Sequence, residues 1–279
     1  MPPGNLAELR ALARRFGPKR LAIAGADSRT AMEAARAAQD LGLIRLVQPE
    51  PDGRGDASAA VARLAAQGEC DVVLKGTVRS DHLLRAILDR QYGLRTGLLS
   101  DVLLYEDTLA GATRLVAVTD GGVNVLPDAA SLPAIIENAL TVMHALGFAR
   151  PRVALLSATE AVSDAVPSTL LAAAVAAMQF SRPCEISGPL ALDNALLAAA
   201  AREKAIPGPV AGCADVLVAP SIEAGNILGK AVKYFGGSSC AHVVVGARVP
   251  VLIPSRVENT EDKLNSIALG VLVAGAARD

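Results

Sequence analysis

Asp71-Val-Val-Leu-Lys75-Gly-Thr-Val-Arg79-Ser80-Asp-His82-Leu-Leu-Arg85-Ala-Ile-Leu is an apolar run of strand length, a polar turn carrying a glycine, and then apolar residues at helical spacing. The same strand-turn-helix pattern recurs along the chain. Runs at 21–24, 43–47, 71–74, 98–105, 115–119, 152–156, 184–187, 215–219, 241–245 and 249–253 read as strands. Helical patterns such as 80–90, 132–146, 167–179, 190–204, 222–235 and 259–277 lie between most of them. Alternation of this kind marks βα units and a largely parallel sheet, so the class is α/β. Two neighbouring pairs break the rule. The runs at 98–105 and 115–119, and the last two, are joined by short turns and are expected to pair antiparallel, giving a mixed sheet. No Pro/Ser/Gly-rich linker divides the chain and no internal repeat is visible, so a second domain has to arise by the chain crossing over and back.

Composition narrows the function. The chain has 279 residues, 52% apolar and 20% charged, enough to bury a sizeable core. A net charge of −1 with 3% aromatic residues offers neither a basic field for a nucleic-acid backbone nor stacking platforms for bases. Cys70, Cys184, Cys213 and Cys240 are widely spaced without a C-x-x-C pair, which argues against a zinc knuckle or a disulfide-stapled fold and suits a reducing compartment. The first residues lack the basic and apolar segments of a secretory signal, and no apolar stretch is long enough to span a bilayer. A cytoplasmic location without membrane attachment is expected.

Several motifs mislead. Gly225-Asn-Ile-Leu-Gly229-Lys230 resembles a phosphate loop, but it is one residue short between the glycines, and Ala231 stands where a hydroxyl would hold Mg²⁺. Gly53-Arg-Gly55 lacks the third glycine of a dinucleotide fingerprint and reads as a surface turn. His82, His144 and His242 are isolated, and no metal constellation follows from spacing. No G-x-S-x-G elbow is present.

Two segments carry chemistry. Pro250-Val-Leu-Ile-Pro-Ser255-Arg256 is an apolar strand ending in a polar turn ahead of the last helix, the position where α/β proteins bind anions. Asn259, with Asp262 three residues on, also reads as a variant capping box. The segment quoted at the outset is the second. Ser80 is an N-cap candidate; Leu83, Leu84, Ile87 and Leu88 mark a buried face that leaves Arg85 outside it.

Lys75-Gly76 with Arg85, Asp120-Gly-Gly-Val-Asn124, Gly188-Pro-Leu-Ala-Leu-Asp193-Asn-Ala195, Ala214-Asp-Val-Leu-Val-Ala-Pro220, Ile222-Glu223-Ala-Gly-Asn226 and Ser255-Arg256 follow one another in a distinctive order and spacing. In these segments the chain resembles the phosphate acetyl/butyryltransferase family, and the stretch 188–195 is nearest its butyryl-type members. The likeness covers residues 71–274 and departs at Ser187, Pro254 and His242. It implies a two-domain, three-layer α/β/α fold of the isocitrate/isopropylmalate dehydrogenase type, with the active site in a cleft between domains and a homodimer as the assembly. The implied reaction is acyl-CoA plus phosphate giving acyl phosphate plus CoA, with acetyl, propionyl or butyryl groups. Coenzyme A and phosphate are then substrates, and neither a metal nor a permanent cofactor is implied. Carried over by motif, Ser255 and Arg256 form the active-site pair and Asp262 is the thiol base. Ser80 and Arg85 belong to the phosphate site, with Asn124, Glu223 and Asn226 as further substrate-binding residues. Because Arg85 and Ser255 must meet one phosphate, residues 1–96 and 255–279 are expected to form one domain and 97–254 the other.

A thiol near 8.5 and an aspartate near 3.9 in water leave proton transfer between them uphill by roughly 6 kcal/mol, so a fully exposed aspartate would be an ineffective base. Ser255 has no adjoining His or Lys and reads as a donor to the carbonyl oxyanion rather than an acylated nucleophile. Two other readings stand beside this one. An NAD-dependent decarboxylating dehydrogenase of the same fold needs a carboxylate cluster and a Tyr-Lys pair, of which only Lys233-Tyr234 is present. A non-catalytic small-molecule-binding relative would have no need of Ser255, Arg256 and Asp262.

Overall fold

The computed structural model describes residues 1–48 and 56–276. The turn expected at 53–55 and the last expected helical residue, 277, lie outside the described residues. The strands are β1 (Lys19–Ala24), β2 (Ile44–Val47), β3 (Val72–Lys75), β4 (Arg95–Asp107), β5 (Arg114–Thr119), β6 (Arg152–Leu156), β7 (Glu185–Leu190), β8 (Val216–Val218), β9 (Cys240–Ala247) and β10 (Val251–Leu252). The helices are α1 (Leu6–Ala13), α2 (Arg29–Asp40), α3 (Ala57–Ala66), α4 (Ser80–Leu88), α5 (Leu132–Ala145), α6 (Pro167–Ala176), α7 (Leu192–Leu196), α8 (Ala198–Glu203), α9 (Ile222–Tyr234) and α10 (Thr260–Ala276). No helix among the described residues is long and apolar enough to cross a membrane.

Two compact units result. A terminal unit comprises Leu6–Leu99 and Ser239–Asp279, and a middle unit comprises Met1–Asn5 and Ser100–Ser238. This differs from the expected division at residues 97–99 and 239–254, which group with the terminal unit, and at 1–5, which group with the middle one. The reason is pairing: β10 runs parallel to β3 with Val251 opposite Val73, and β9 runs antiparallel to β10, so both strands belong with β3. In the terminal unit the strand order is β2-β1-β3-β10-β9, followed by the start of β4. In the middle unit the rest of β4 is followed by β5-β8-β6-β7. The strand pairing in each unit is mixed, because β9 with β10 and β4 with β5 are antiparallel, as the short turns predict.

The two strand orders share one plan. In each unit the first strand of a parallel trio lies between the second and third, β1 between β2 and β3, and β6 between β7 and β8. The third strand of each trio then pairs in parallel with a strand that has an antiparallel neighbour, β10 in one unit and β5 in the other. Even a side-chain clamp repeats. Arg20 donates its backbone N–H, Nε and Nη2 to Asp71, which precedes β3, and Arg152 makes the same three bonds to Asp215, which precedes β8. The repeat escapes the sequence because topology and two ion pairs carry it, and the side chains around them differ.

Asp215 is 4% exposed, so removing its carboxylate would strand the Arg152 guanidinium and the Arg152 backbone N–H. Breaking a buried pair costs about 3 to 5 kcal/mol, and because Arg152 keeps part of its side chain in water the low end applies. We expect Asp215→Ala to lower the urea midpoint by the equivalent of about 3 kcal/mol. A loss under about 1 kcal/mol would mean that the clamp is dispensable.

The core of the terminal unit is α10. Every residue from Asp262 to Gly275 is buried, the pattern of a helix covered on all sides. Gly270 lets Leu252 and Val72 approach, and Gly275 lets the Phe16 ring approach, where a Cβ would collide with each. One expected helix is broken: the pattern at 190–204 divides into α7 and α8 at Leu197, whose backbone is extended. The carbonyls of Asn194 and Ala195 accept from Gly212 and Ala214 N–H instead of continuing the helix. The expected strand at 184–187 runs on to Leu190, through the Gly188-Pro189-Leu190 part of the resemblance motif.

Candidate functional site

The carboxyl ends of β1, β3 and β10 lie side by side in the terminal unit, with Ala24 opposite Lys75 and Leu252 opposite Leu74. Gly76 must be glycine here, because a Cβ would fall on the Gly25 carbonyl. The close approach lets Thr77 N–H donate to that carbonyl and turns the chain toward α4. An open pocket of about 340 Å³ results, lined by Ser28, Lys75, Gly76, Thr77, Pro254, Ser255, Arg256 and Lys263. Three cations and three hydroxyls at the ends of parallel strands are the composition of an anion site.

Lys75 closes an otherwise apolar strand and is 6% exposed, with its Nζ donating to Ser80 Oγ at 3.0 Å. Burial holds its ammonium below the ordinary lysine range; Arg256 adds to that, Glu258 opposes it, and Lys263 adds further. Ser80 is therefore linked to the pocket wall through Lys75. It is the first residue of α4 rather than its cap: Arg79 holds the cap position without a side-chain bond. Ser255 and Arg256 are exposed at the pocket. Their turn is fixed by Glu258, 4% exposed, whose Oε1 accepts the Ser255 N–H at 3.0 Å and lies 3.4 Å from His242 Nε2. Lys263 Nζ donates to the Glu258 carbonyl, so one residue anchors both sides of the loop.

Asn259 caps α10 by accepting the Asp262 N–H at 2.8 Å, as expected. The reciprocal half of the capping box is absent, because Asp262 Oδ1 accepts the N–H of Cys240 at 2.9 Å instead. Asp262 is 1% exposed, and the pocket is lined by its neighbour Lys263. Ser266, one turn later, accepts the His242 N–H, so the first turns of α10 satisfy the edge of β9. Arg85 is exposed, pairs with Asp81 at 3.4 Å and does not line the pocket. Of its expected apolar neighbours only Leu83 and Ile87 are buried; Leu88 is 39% exposed, since α4 covers the core with a single stripe.

The middle unit gathers a second group at the equivalent place, the ends of β5 and β8. Asp120 is 1% exposed and accepts the N–H groups of Gly122, Val123 and Asn124 at 2.7, 2.9 and 3.1 Å. Burial raises its carboxyl above the usual range, helped by the charge of Asp101 and opposed by those donors and the Asn124 amide. Asn226 Nδ2 donates to the Gly121 carbonyl at 3.0 Å, and Gly225 lets that loop lie directly on α9, which Ser221 caps. Asn124 thus serves Asp120, Asn226 serves the loop, and Glu223 is exposed in the first turn of α9.

The structure therefore brings Ser255 and Arg256 to one pocket, sets Ser80 against Lys75 of its wall, keeps Asp262 one residue behind that wall, and leaves Arg85 outside. Sequence reading missed Ser28, Thr77 and Lys263 as lining residues and Glu258 as the anchor of the Ser255 turn. The available signals were the lysine ending the apolar strand at 72–75 and the carboxylate three residues after Ser255.

Residues 53–271 match the family described as phosphate acetyl/butaryl transferase. A phosphate butyryltransferase of Clostridium beijerinckii is 40% identical over 222 residues, 78% of this chain and 73% of the relative. The crystal structure of a branched-chain phosphotransacylase from Enterococcus faecalis V583 superposes with a TM-score of 0.81 at 29% identity, covering 92% of this chain and 99% of that one. A 4-hydroxythreonine-4-phosphate dehydrogenase-like protein of Salmonella typhimurium shares the fold alone, with a TM-score of 0.52 at 15% identity over 96% of this chain and 87% of that one. With the match spanning most of the chain and with Lys75-Gly76 and Ser255-Arg256 lining the pocket, this protein belongs to the phosphate acetyl/butaryl transferase family.

Proposed function

We propose that the chain transfers a short acyl group reversibly between coenzyme A and inorganic phosphate. The observation that carries the reading is the cationic pocket at the ends of β3 and β10, in a chain whose relatives are phosphate acyltransferases. A phosphate oxygen attacks the thioester carbonyl carbon, the carbonyl oxygen takes the electron pair, and collapse expels the CoA thiolate. In the reverse direction the thiol loses its proton, and its sulfur attacks the carbonyl of the acyl phosphate. Ser255 donates to the carbonyl oxyanion, Arg256 holds phosphate and stabilises the thiolate, and Asp262 exchanges the thiol proton. Ser80 belongs to the inner phosphate site. Arg85 is a rim contact, and its exposed pair with Asp81 is cheap to break when a ligand arrives. Asn124, Glu223 and Asn226 complete the substrate contacts. Neither a metal nor a permanent cofactor takes part. The enzyme works in the cytoplasm as a homodimer, a setting that suits its four free cysteines.

The acyl group is propionyl, butyryl or a branched chain in preference to acetyl. The 188–195 segment, the butyryl-type relative and the branched-chain structural relative support this, as does an aromatic content of 3% that leaves little to fill an acyl pocket. A methylene in an apolar pocket is worth about 1 to 3 kcal/mol, so kcat/KM is expected to be graded from acetyl- to butyryl-CoA. Free thiol released from a series of acyl-CoA esters, with and without phosphate, measures it. Exclusive use of acetyl-CoA would refute the preference, and thiol release independent of phosphate would refute the reaction.

A further inference from the structure

We infer that Lys75 is a substrate-touching residue that holds the phosphate, its ammonium joining the Ser80 hydroxyl on one side to a phosphate oxygen on the other. This rests on the acyl-transfer reading above and assigns to Lys75 the inner cationic contact of that site. An ammonium has three N–H donors and needs partners for them when removed from water. Lys75 is 94% buried by its 6% exposure, and its one side-chain bond among the described residues goes to Ser80 Oγ. The other donors belong to a side chain that lines the open pocket together with Ser28, Thr77, Ser255 and Arg256.

Charge points the same way. Arg256 and Lys263 face the same space, so three positive groups stand together with Glu258 as the nearby opposing charge. Glu258 is already engaged by the Ser255 N–H, and Lys263 by the Glu258 carbonyl. Lys75 is thus an inner cation with donors to spare. A tetrahedral dianion would take one of them and offset the repulsion among the three. Arg85, by contrast, sits outside the pocket on an exposed face.

The test titrates inorganic phosphate into the protein by calorimetry, without coenzyme A, and measures both Michaelis constants in the acyl phosphate-forming assay. Lys75→Met, which keeps the length and loses the charge, is expected to raise the phosphate Kd and KM about 10- to 100-fold, as loss of a charge-assisted hydrogen bond does. The KM for acyl-CoA should stay within about threefold. A folded variant whose phosphate Kd and KM stay within about twofold of the parent overturns the inference, as does an equal loss for both substrates. If Lys75→Met does not fold, the Nζ resonance of Lys75 in the unsubstituted, ¹⁵N-lysine-labelled protein carries the test, assigned with Lys75→Arg. It is expected to move with phosphate, and a resonance that stays fixed at saturation overturns the inference. Failure of the acyl-transfer reading looks different: the unsubstituted protein binds phosphate and loses that binding in Lys75→Met, yet releases no thiol from acyl-CoA.

Discussion

Asp262→Asn is expected to lower kcat about 10²- to 10⁴-fold in both directions while leaving the melting temperature nearly unchanged. The isosteric amide keeps an oxygen for the Cys240 N–H, so the contact between α10 and β9 survives while the capacity to exchange a proton is lost. Asp262→Ala would confuse the two roles, because it leaves that buried N–H without an acceptor at a cost of about 1 to 3 kcal/mol. The structure makes the competing roles concrete: the same carboxylate ties down the first residue of β9 and stands one position before a pocket lysine. If the carboxylate only holds β9, the asparagine variant turns over within a few-fold of the parent. Steady-state kinetics with a melting curve for each variant distinguishes the cases.

Ser255→Ala is expected to cost about 10²- to 10³-fold in kcat, the effect of removing one oxyanion donor, with the KM for both substrates within a few-fold. The turn itself should persist, because Glu258 holds Ser255 by its backbone N–H and not by its hydroxyl. A loss confined to the phosphate KM would instead make Ser255 a phosphate contact. Unchanged kinetics would leave the oxyanion to Arg256.

Much of the fold is legible in the sequence, because strand and helix periods differ and short turns force antiparallel pairs. The turns after 98–105 and after 241–245 predicted both antiparallel pairs. The domain division was less legible: nothing in residues 239–254 says that β10 will lie beside β3 rather than beside the strands that precede it. Pairing partners distant in sequence are set by packing that no local pattern encodes. The break at Leu197 was hidden for the same reason, since the competing N–H groups come from Gly212 and Ala214. At the site, Ser255, Arg256 and the Asn259 cap could be read from a polar turn between a strand and a helix. The reach of Lys75 to Ser80 and the hold of Glu258 on Ser255 could not, because they depend on how two loops from different strands face each other. Ser80 misled for a local reason, since α4 starts one residue earlier than a Ser80 cap would require and its hydroxyl accepts from the Lys75 ammonium 3.0 Å away.

The most direct test of acyl transfer is a stoichiometric one. Purified protein is incubated with butyryl-CoA and inorganic phosphate, and free thiol and acyl phosphate, trapped as the hydroxamate, are counted over the same interval. The account predicts one acyl phosphate for each thiol, no thiol without phosphate, and regeneration of the thioester when butyryl phosphate and coenzyme A are supplied instead. Thiol released without acyl phosphate, or no release with any short acyl-CoA, would contradict it.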